Sequence, residues 1–363
     1  MPQLRICATS HCDKHCIYCR PGGEGFPGGR AADLDAGTLV EVARLLHDEW
    51  GVQSVRVTGG EPLLRGDIIE LLSGLRRVGV EYLTMVTRSP SLQRYLPGLA
   101  GLLDELTVSL DSLDDDRGEL LSGLRQTAAL KEAIRTARSC GANVRVNMVL
   151  VKGANDGELE AMADFCGRHG LSLKLFDLMN MPEDVDFWSK HYMSLEPLRG
   201  WLAERCASAD VLDQPGILGT RTPRYLMPSG TVVFVKDSHL GAFYGDVCAG
   251  CPDYPCQDAI MALRLTHDGK LKRCLIRNDN LVDVAGALRA GTPRDELVGM
   301  VEPVMNTYLG AVFHSPGWSA THELQRLKGP RREAVRAPGP SAADPAAPVG
   351  PAAPVGPAAK ATP

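Results

Sequence analysis

The first 180 residues alternate between short apolar segments and amphipathic stretches, and this alternation limits the fold more than any other feature of the chain. The apolar segments predict six β-strands. They begin near Leu4, Val52, Tyr82, Leu106, Asn143 and Leu171. Between them, apolar residues recur every three or four positions, as on helices that cover a sheet. Strands separated by single helices pair in parallel through right-handed crossovers, so the sequence predicts an α/β fold.

Polar motifs stand where these strands end. A loop with three cysteines follows the first strand, and Gly59-Gly60-Glu61-Pro62 follows the second. Ser109-Leu110-Asp111 ends the fourth strand and Lys152-Gly153 follows the fifth. Because the carboxyl ends of parallel strands share one edge of a sheet, we expect these motifs to form a single site.

The first loop carries Cys12, Cys16 and Cys19 in a C-x3-C-x2-C pattern. Three thiolates on one loop can hold three irons of a four-iron cluster and leave the fourth iron open to a ligand. Zinc is the alternative, but structural zinc sites usually take four ligands in two pairs. No pair lies close by in the sequence, so the spacing favours iron and sulfur.

A second group of cysteines lies in the last third of the chain. Its members are Cys248, Cys251, Cys256 and Cys274. The spacing fits a four-cysteine zinc site or a second four-iron cluster, and the suspected first cluster favours the latter. Four cysteine ligands would leave no open iron, whereas three would leave one for a substrate.

Several single residues have a structural and a functional interpretation. Gly59 and Gly60 allow a ligand close to the backbone, and Glu61 could bind an amino group, although a tight turn with a surface glutamate has the same sequence. Lys152 and Arg264 form either surface ion pairs or a clamp on an anionic substrate.

Composition excludes several classes of protein. The chain has 363 residues, a net charge of −5 and no strongly basic field, which argues against nucleic acid as a partner. No apolar run is long enough to span a membrane, and no secretory leader is recognised. Eleven cysteines without export predict metal or redox chemistry in the cytoplasm instead of disulfides.

Pattern changes divide the chain into three predicted regions. Residues 1–215 hold the strand–helix units, and residues 216–328 hold two hairpins and the second cysteine group. Residues 329–363 are rich in Pro and Ala and are expected to be disordered. A glycine-rich stretch at 21–29 is predicted to be a flexible loop.

Four segments together resemble the radical S-adenosylmethionine (SAM) superfamily. They read CDKHCIYC, VRVTGGEPLLRGDI, VSLDSLD and VNMVLVKGANDGE. The later segment LRLTHDGKLKRCL resembles the MoaA-type branch, whose founding member is the GTP 3′,8-cyclase of molybdenum-cofactor synthesis. The resemblance extends over roughly residues 3–315.

The resemblance implies a partial (β/α)6 TIM-like barrel and two [4Fe-4S] clusters, one on each cysteine group. SAM would bind the open iron of the first cluster, with Tyr18 beside the adenine. Gly59, Gly60 and Glu61 would hold the methionine amino group, and Ser109 and Asn147 would contact the ribose or the carboxylate. An external donor such as flavodoxin or ferredoxin would supply the electron that cleaves SAM to a 5′-deoxyadenosyl radical.

The chain departs from the cyclase pattern at four places. Ile260-Met261-Ala262 stands where the cyclase has Cys-Asn-Arg, Cys256 offers a fourth ligand, and Thr87-Arg88-Ser89 replaces Thr-Asn-Gly. The sequence ends in Ala-Thr-Pro instead of paired glycines. The departures predict hydrogen abstraction from another small molecule or a peptide, in specialised-metabolite biosynthesis. A GTP 3′,8-cyclase and a peptide-modifying radical SAM enzyme are the alternatives.

Overall fold

The computed structural model describes residues 2–19, 32–180, 185–213 and 220–314, with only the backbone of Val185. The glycine-rich stretch at 21–29 and the Pro/Ala-rich segment from residue 329 lie outside these ranges. The predicted boundary near residue 215 also falls in a gap between them. No helix in the described ranges is long and apolar enough to cross a bilayer.

Fourteen strands are found in the described ranges. They are β1 (Leu4–Cys7), β2 (Ser54–Thr58), β3 (Tyr82–Thr87), β4 (Glu105–Ser109), β5 (Val144–Val149), β6 (Ser172–Phe176), β7 (Ser208–Leu212), β8 (Thr222–Leu226), β9 (Val232–Lys236), β10 (Ala242–Tyr244), β11 (Leu263–Leu265), β12 (Lys270–Lys272), β13 (Val282–Asp283) and β14 (Val312–His314). Twelve of them form one sheet in the order β13-β12-β11-β1-β2-β3-β4-β5-β6-β9-β8-β7, while β10 pairs with β14.

The central strands of the large sheet are all parallel, from β11 through β1 to β6 and on to β9. This confirms the predicted parallel sheet. The two predicted hairpins, β8–β9 and β11–β12, extend it at both edges in antiparallel register. Strands from the second part of the chain therefore flank the six N-terminal strands.

Helices connect the strands and cover one face of the sheet. They are α1 (Ala36–Trp50), α2 (Ile68–Val78), α3 (Leu92–Leu99), α4 (Asp115–Ser122), α5 (Thr127–Ser139), α6 (Leu159–Arg168), α7 (Val185–His191), α8 (Glu196–Arg205), α9 (Val284–Arg289) and α10 (Arg294–Leu309). The helix α1 is capped before its first residue by Asp35, whose carboxylate accepts the Thr38 N–H at 2.8 Å. It is terminated after Trp50 by Gly51, whose φ is 63°.

Side chains alternate along the parallel strands between an apolar face and a polar face. In β5, Val144, Val146 and Met148 are buried under the helices, whereas Arg145 and Asn147 point to the opposite face. Arg5 on β1 and Lys236 on β9 both lie close enough to Lys174 of β6 to lower its pKa. Because β1 and β6 are distant in the strand order, the sheet must curve so that these strands face a common interior. The polar face is therefore the inside of a partial barrel.

Two element boundaries differ from the sequence pattern. The alternation from Leu4 to Thr9 predicts a strand to Thr9, but β1 ends at Cys7, because the Thr9 carbonyl accepts the Gly60 N–H outside the ladder. The segment from Asn155 to Arg168 has a helical pattern, but the helix α6 begins at Leu159. The Asn155 amide instead donates to the carbonyls of Asp111 and Val149, both at 2.8 Å, and thereby ties together the ends of β4 and β5.

Candidate active site

The three N-terminal cysteines lie on the loop that follows β1. None of the three forms a disulfide within the described ranges, and Cys12 and Cys19 are exposed. The loop is fixed to the end of α4 by the N–H groups of His15 and Ile17, which donate to the carbonyls of Ser122 and Leu121 at 2.9 and 3.1 Å. A rigidly held loop thus presents three thiols at the carboxyl edge of the sheet.

The Gly59-Gly60-Glu61 turn lies directly against this cysteine loop. The Gly60 N–H donates to the Thr9 carbonyl at 2.7 Å, and the Glu61 N–H donates to the His11 carbonyl at 2.8 Å. A Cβ on Gly60 would lie 2.0 Å from the His11 carbonyl oxygen. The glycines are therefore required for close contact with the loop. Since two of the N–H groups are used, the turn can offer a ligand its carbonyl oxygens.

The Glu61 carboxylate is buried and receives several donors from the protein. The Thr87 hydroxyl donates to it at 2.6 Å and the Arg88 N–H at 2.9 Å. The Leu63 N–H is a third donor at 3.1 Å, and the Lys14 ammonium lies 3.6 Å away. Glu61 thus joins the end of β3 to the turn after β2, and direct binding of an amino group by its carboxylate stays a prediction.

Ser109 is the last residue of β4, and its register partner on β5 is Asn147. The Asn147 side-chain oxygen is buried and finds no hydrogen-bond partner among the described residues. A buried acceptor without a donor is costly unless a ligand supplies one. Hydroxyl groups of a ribose are suitable donors, so the predicted contact fits the structure.

A buried arginine links three of the motifs. The guanidinium of Arg88 donates to the Tyr18 hydroxyl at 2.6 Å and forms an ion pair with Asp111. The Tyr18 hydroxyl itself donates to Asp111, whose other oxygen accepts the Val149 N–H at 2.8 Å. Burial raises the pKa of Tyr18 well above its ordinary value, so the phenol stays protonated.

Below this edge, the barrel interior carries a group of cations. Arg5, Arg56, Arg145 and Lys174 lie on the polar faces of β1, β2, β5 and β6. The Glu105 carboxylate lies 2.5 Å from Arg145 and 3.8 Å from Arg56. This group was missed from the sequence.

The sequence does carry a signal for the interior cations. In the segments VRVT, VRVNMV and SLKLF, a charged residue stands between apolar neighbours. That period indicates a sheet with one apolar and one polar face, instead of a sheet buried on both faces.

The second cysteine group lies on the segments just before and just after the β11–β12 hairpin. The Cys256 sulfur accepts the Ala259 N–H at 3.3 Å, and the Cys274 sulfur accepts the Arg277 N–H at 3.4 Å. Hydrogen bonds of this kind stabilise cluster thiolates. The pKa of Cys248 is raised to about 11, first by burial and then by Cys274 and Cys251, so the thiols are neighbours.

No three His, Cys, Asp or Glu side chains in the described ranges are close enough to share a single metal ion. The choice between a zinc ion and a [4Fe-4S] cluster at the second cysteine group therefore stays a prediction.

Comparison with known proteins identifies the family. A model described as the Radical SAM superfamily matches residues 6–166. A probable GTP 3′,8-cyclase of Methanothermobacter thermautotrophicus is 31% identical over 289 residues, which cover 79% of this chain and 88% of the relative. A probable GTP 3′,8-cyclase of Thermococcus kodakarensis is 30% identical over 304 residues, covering 81% and 91%. The chain belongs to the radical SAM superfamily, in its MoaA-like branch.

A solved structure supports the radical SAM fold. Streptococcus suis SuiB bound to S-adenosylmethionine aligns with a TM-score of 0.57 at 18% identity, over 83% of this chain and 68% of SuiB. The predicted TIM-like barrel is therefore confirmed. Membership of the radical SAM superfamily implies a [4Fe-4S] cluster and SAM, and the thiol loop and the Asn147 oxygen fit these groups.

The two predicted substrate residues of this radical SAM chain lie in different surroundings. Lys152 is exposed, and its backbone pairs with His191. Arg264 is only 2% exposed and forms a buried ion pair with Asp258 at 2.9 Å, so a surface ion pair is excluded. Register places Arg264 beside Arg5, next to the interior cations.

Proposed function

We propose that this radical SAM enzyme removes a hydrogen atom from an anionic small molecule held inside the barrel. The observation that carries the proposal is the cationic interior formed by Arg5, Arg56, Arg145 and Lys174. When bound, the first cluster and SAM supply the radical that takes the hydrogen atom. The part of the protein is to bind and orient the substrate and to exclude water.

The charge balance of the interior favours an anion. Glu105 is shared between two guanidinium groups, and the charges that act most strongly on Lys174 are all cations. Buried cations repel one another, and a bound anion would reduce that repulsion. Arginine forms paired hydrogen bonds with phosphate and carboxylate, so a phosphorylated substrate fits this interior.

GTP is the first candidate, because the relatives named above are probable GTP 3′,8-cyclases. Their names support this alternative over the expectation of another substrate. A different phosphorylated molecule is the second candidate, since Ala262 is buried and contributes no charge where the resemblance calls for arginine. Its carbonyl accepts the Tyr308 hydroxyl at 2.7 Å.

The test is turnover by reconstituted enzyme with SAM, dithionite and GTP. We expect 5′-deoxyadenosine formation that depends on GTP, together with a cyclised nucleotide. Arg145→Gln should raise KM for GTP about tenfold, because it removes a charge-assisted contact. The control is Arg135→Gln, which changes a surface arginine paired with Glu132 on α5.

Two results would contradict the proposal in distinct ways. Turnover of an uncharged substrate with unchanged KM in Arg145→Gln would refute the anionic substrate. Turnover of another phosphorylated compound, but not of GTP, would refute GTP alone. Dithionite is the electron donor of this assay, and the proposed physiological donor is flavodoxin or ferredoxin.

The four cysteines Cys248, Cys251, Cys256 and Cys274 are proposed to hold a second [4Fe-4S] cluster. Two of their sulfurs accept backbone N–H groups, and Arg277 lies near the group through its N–H bond to Cys274. With Cys256 as the fourth ligand, this cluster has no open iron for a substrate. Substrate recognition would then depend on the interior cations.

A further inference from the structure

Arg88 connects all three parts of the expected cofactor site. It follows β3, and its side chain is only 10% exposed. Its N–H donates to Glu61 of the glycine turn at 2.9 Å. Its guanidinium forms an ion pair with Asp111 and donates to the hydroxyl of Tyr18 at 2.6 Å. Tyr18 stands between two cluster cysteines, so one side chain links the turn, the end of β4 and the cluster loop.

The Arg88–Asp111 ion pair is in direct contact with the cluster loop. Both charged groups contact the Tyr18 hydroxyl, and Tyr18 is two residues after Cys16 and directly before Cys19. Asp111 is 2% exposed, so water screens it little. A fixed cation and a fixed anion therefore both lie within electrostatic reach of a cluster ligand.

We propose that Arg88 and Asp111 form a balanced ion pair that positions Tyr18 and sets the reduction potential of the first cluster. The proposal rests on Cys12, Cys16 and Cys19 holding that cluster. Reduction adds negative charge, so a nearby cation raises the potential and a nearby anion lowers it. In the pair the two effects offset each other, and either residue alone would shift the potential.

The experiment measures the potential of the reconstituted first cluster in Arg88→Gln, Asp111→Asn and the double variant. The cluster is monitored by its electron paramagnetic resonance signal and is identified by the change that SAM causes. We expect Arg88→Gln to lower the potential and Asp111→Asn to raise it. Each shift should change the ratio of reduced to oxidised cluster about tenfold at a fixed potential, which is 59 mV for one electron.

The double variant and the controls separate electrostatics from folding. The double variant should return towards the wild-type potential, and Arg88→Lys, which keeps the charge, should stay near it. Arg125→Gln, which removes an exposed arginine paired with Asp116, should leave the potential unchanged. Tyr18→Phe keeps both charges, so it should weaken SAM binding more than it moves the potential.

Shifts of the same sign in both single variants, or no shift in either, would overturn the proposal. If Arg88→Gln does not assemble the first cluster, the decision rests on Asp111→Asn, whose potential must rise. Iron content is measured separately on Cys16→Ala. A Cys16→Ala chain that binds as much iron as wild type and keeps the SAM-responsive signal refutes the first-cluster assignment itself, and not only the role of the ion pair.

Discussion

At the scale of single residues, Lys174 is a charged side chain that is buried beside other cations. Its side chain is 7% exposed, and its ammonium lies 5.1 Å from the centre of the Phe176 ring. Burial is the first cause of a pKa well below the ordinary value, and neighbouring cations are the second. Those cations are Arg56, Arg145, Arg5 and Lys236. Without a bound anion, this lysine holds its proton weakly.

This environment predicts a pH-dependent affinity for anions. Lys174 is charged only below its lowered pKa, so affinity should fall as the pH rises through that value. An arginine at this position stays protonated throughout, so Lys174→Arg should flatten the pH profile. Calorimetric titration with inorganic triphosphate from pH 6 to pH 10 measures the effect. An equally steep profile in wild type and variant would show that another group is responsible.

At the scale of elements, two segments far apart in the sequence depend on one close backbone contact. The glycine turn after β2 packs against the cysteine loop after β1. Hydrogen bonds from the Gly60 and Glu61 N–H groups fix the distance between the turn and the loop. A side chain at Gly60 has no space, because the nearest atom is a carbonyl oxygen of His11. The contact therefore determines where the cluster loop lies.

Gly60→Ala is expected to separate the turn from the cluster loop. Overpacking usually costs about 1–3 kcal/mol, and backbone cannot move aside as a side chain can. We expect iron incorporation to fall by more than half and SAM cleavage to fall at least tenfold. Gly66→Ala is the matched control, since no atom lies within 4 Å of its added Cβ. Normal iron content and cleavage in Gly60→Ala would contradict this account.

At the scale of the whole molecule, the second part of the chain completes the barrel edges. Strand β11 pairs with β1, and β9 pairs with β6, both in parallel. This brings Arg264 beside Arg5, and Arg264 forms an ion pair with Asp258. The Asp258 carboxylate also accepts the Leu275 N–H at 2.8 Å, so this ion pair links the interior to the segment that carries Cys274.

If the chain holds both proposed clusters, the reconstituted protein should bind about eight irons. Cys256→Ala should reduce the iron bound at the second group or change the spectrum of that cluster, because one of four ligands is lost. Cys140→Ala is the control, as this cysteine is exposed at the end of α5. Iron content and spectra that match wild type in Cys256→Ala would show that the second cluster has an open iron.

The sequence by itself determined the α/β fold, the cysteine spacing and the edge at which the chemistry collects. Each of these is a local pattern: a strand–helix period, a loop of eight residues, or a motif at a strand end. Only the tertiary structure decided which charges meet. Tyr18 and Asp111 are 93 residues apart, and Arg264 reaches Arg5 through a strand pairing that no local pattern specifies. Contact and burial set the charge balance at the cluster and in the interior, and both depend on how distant strands are brought together.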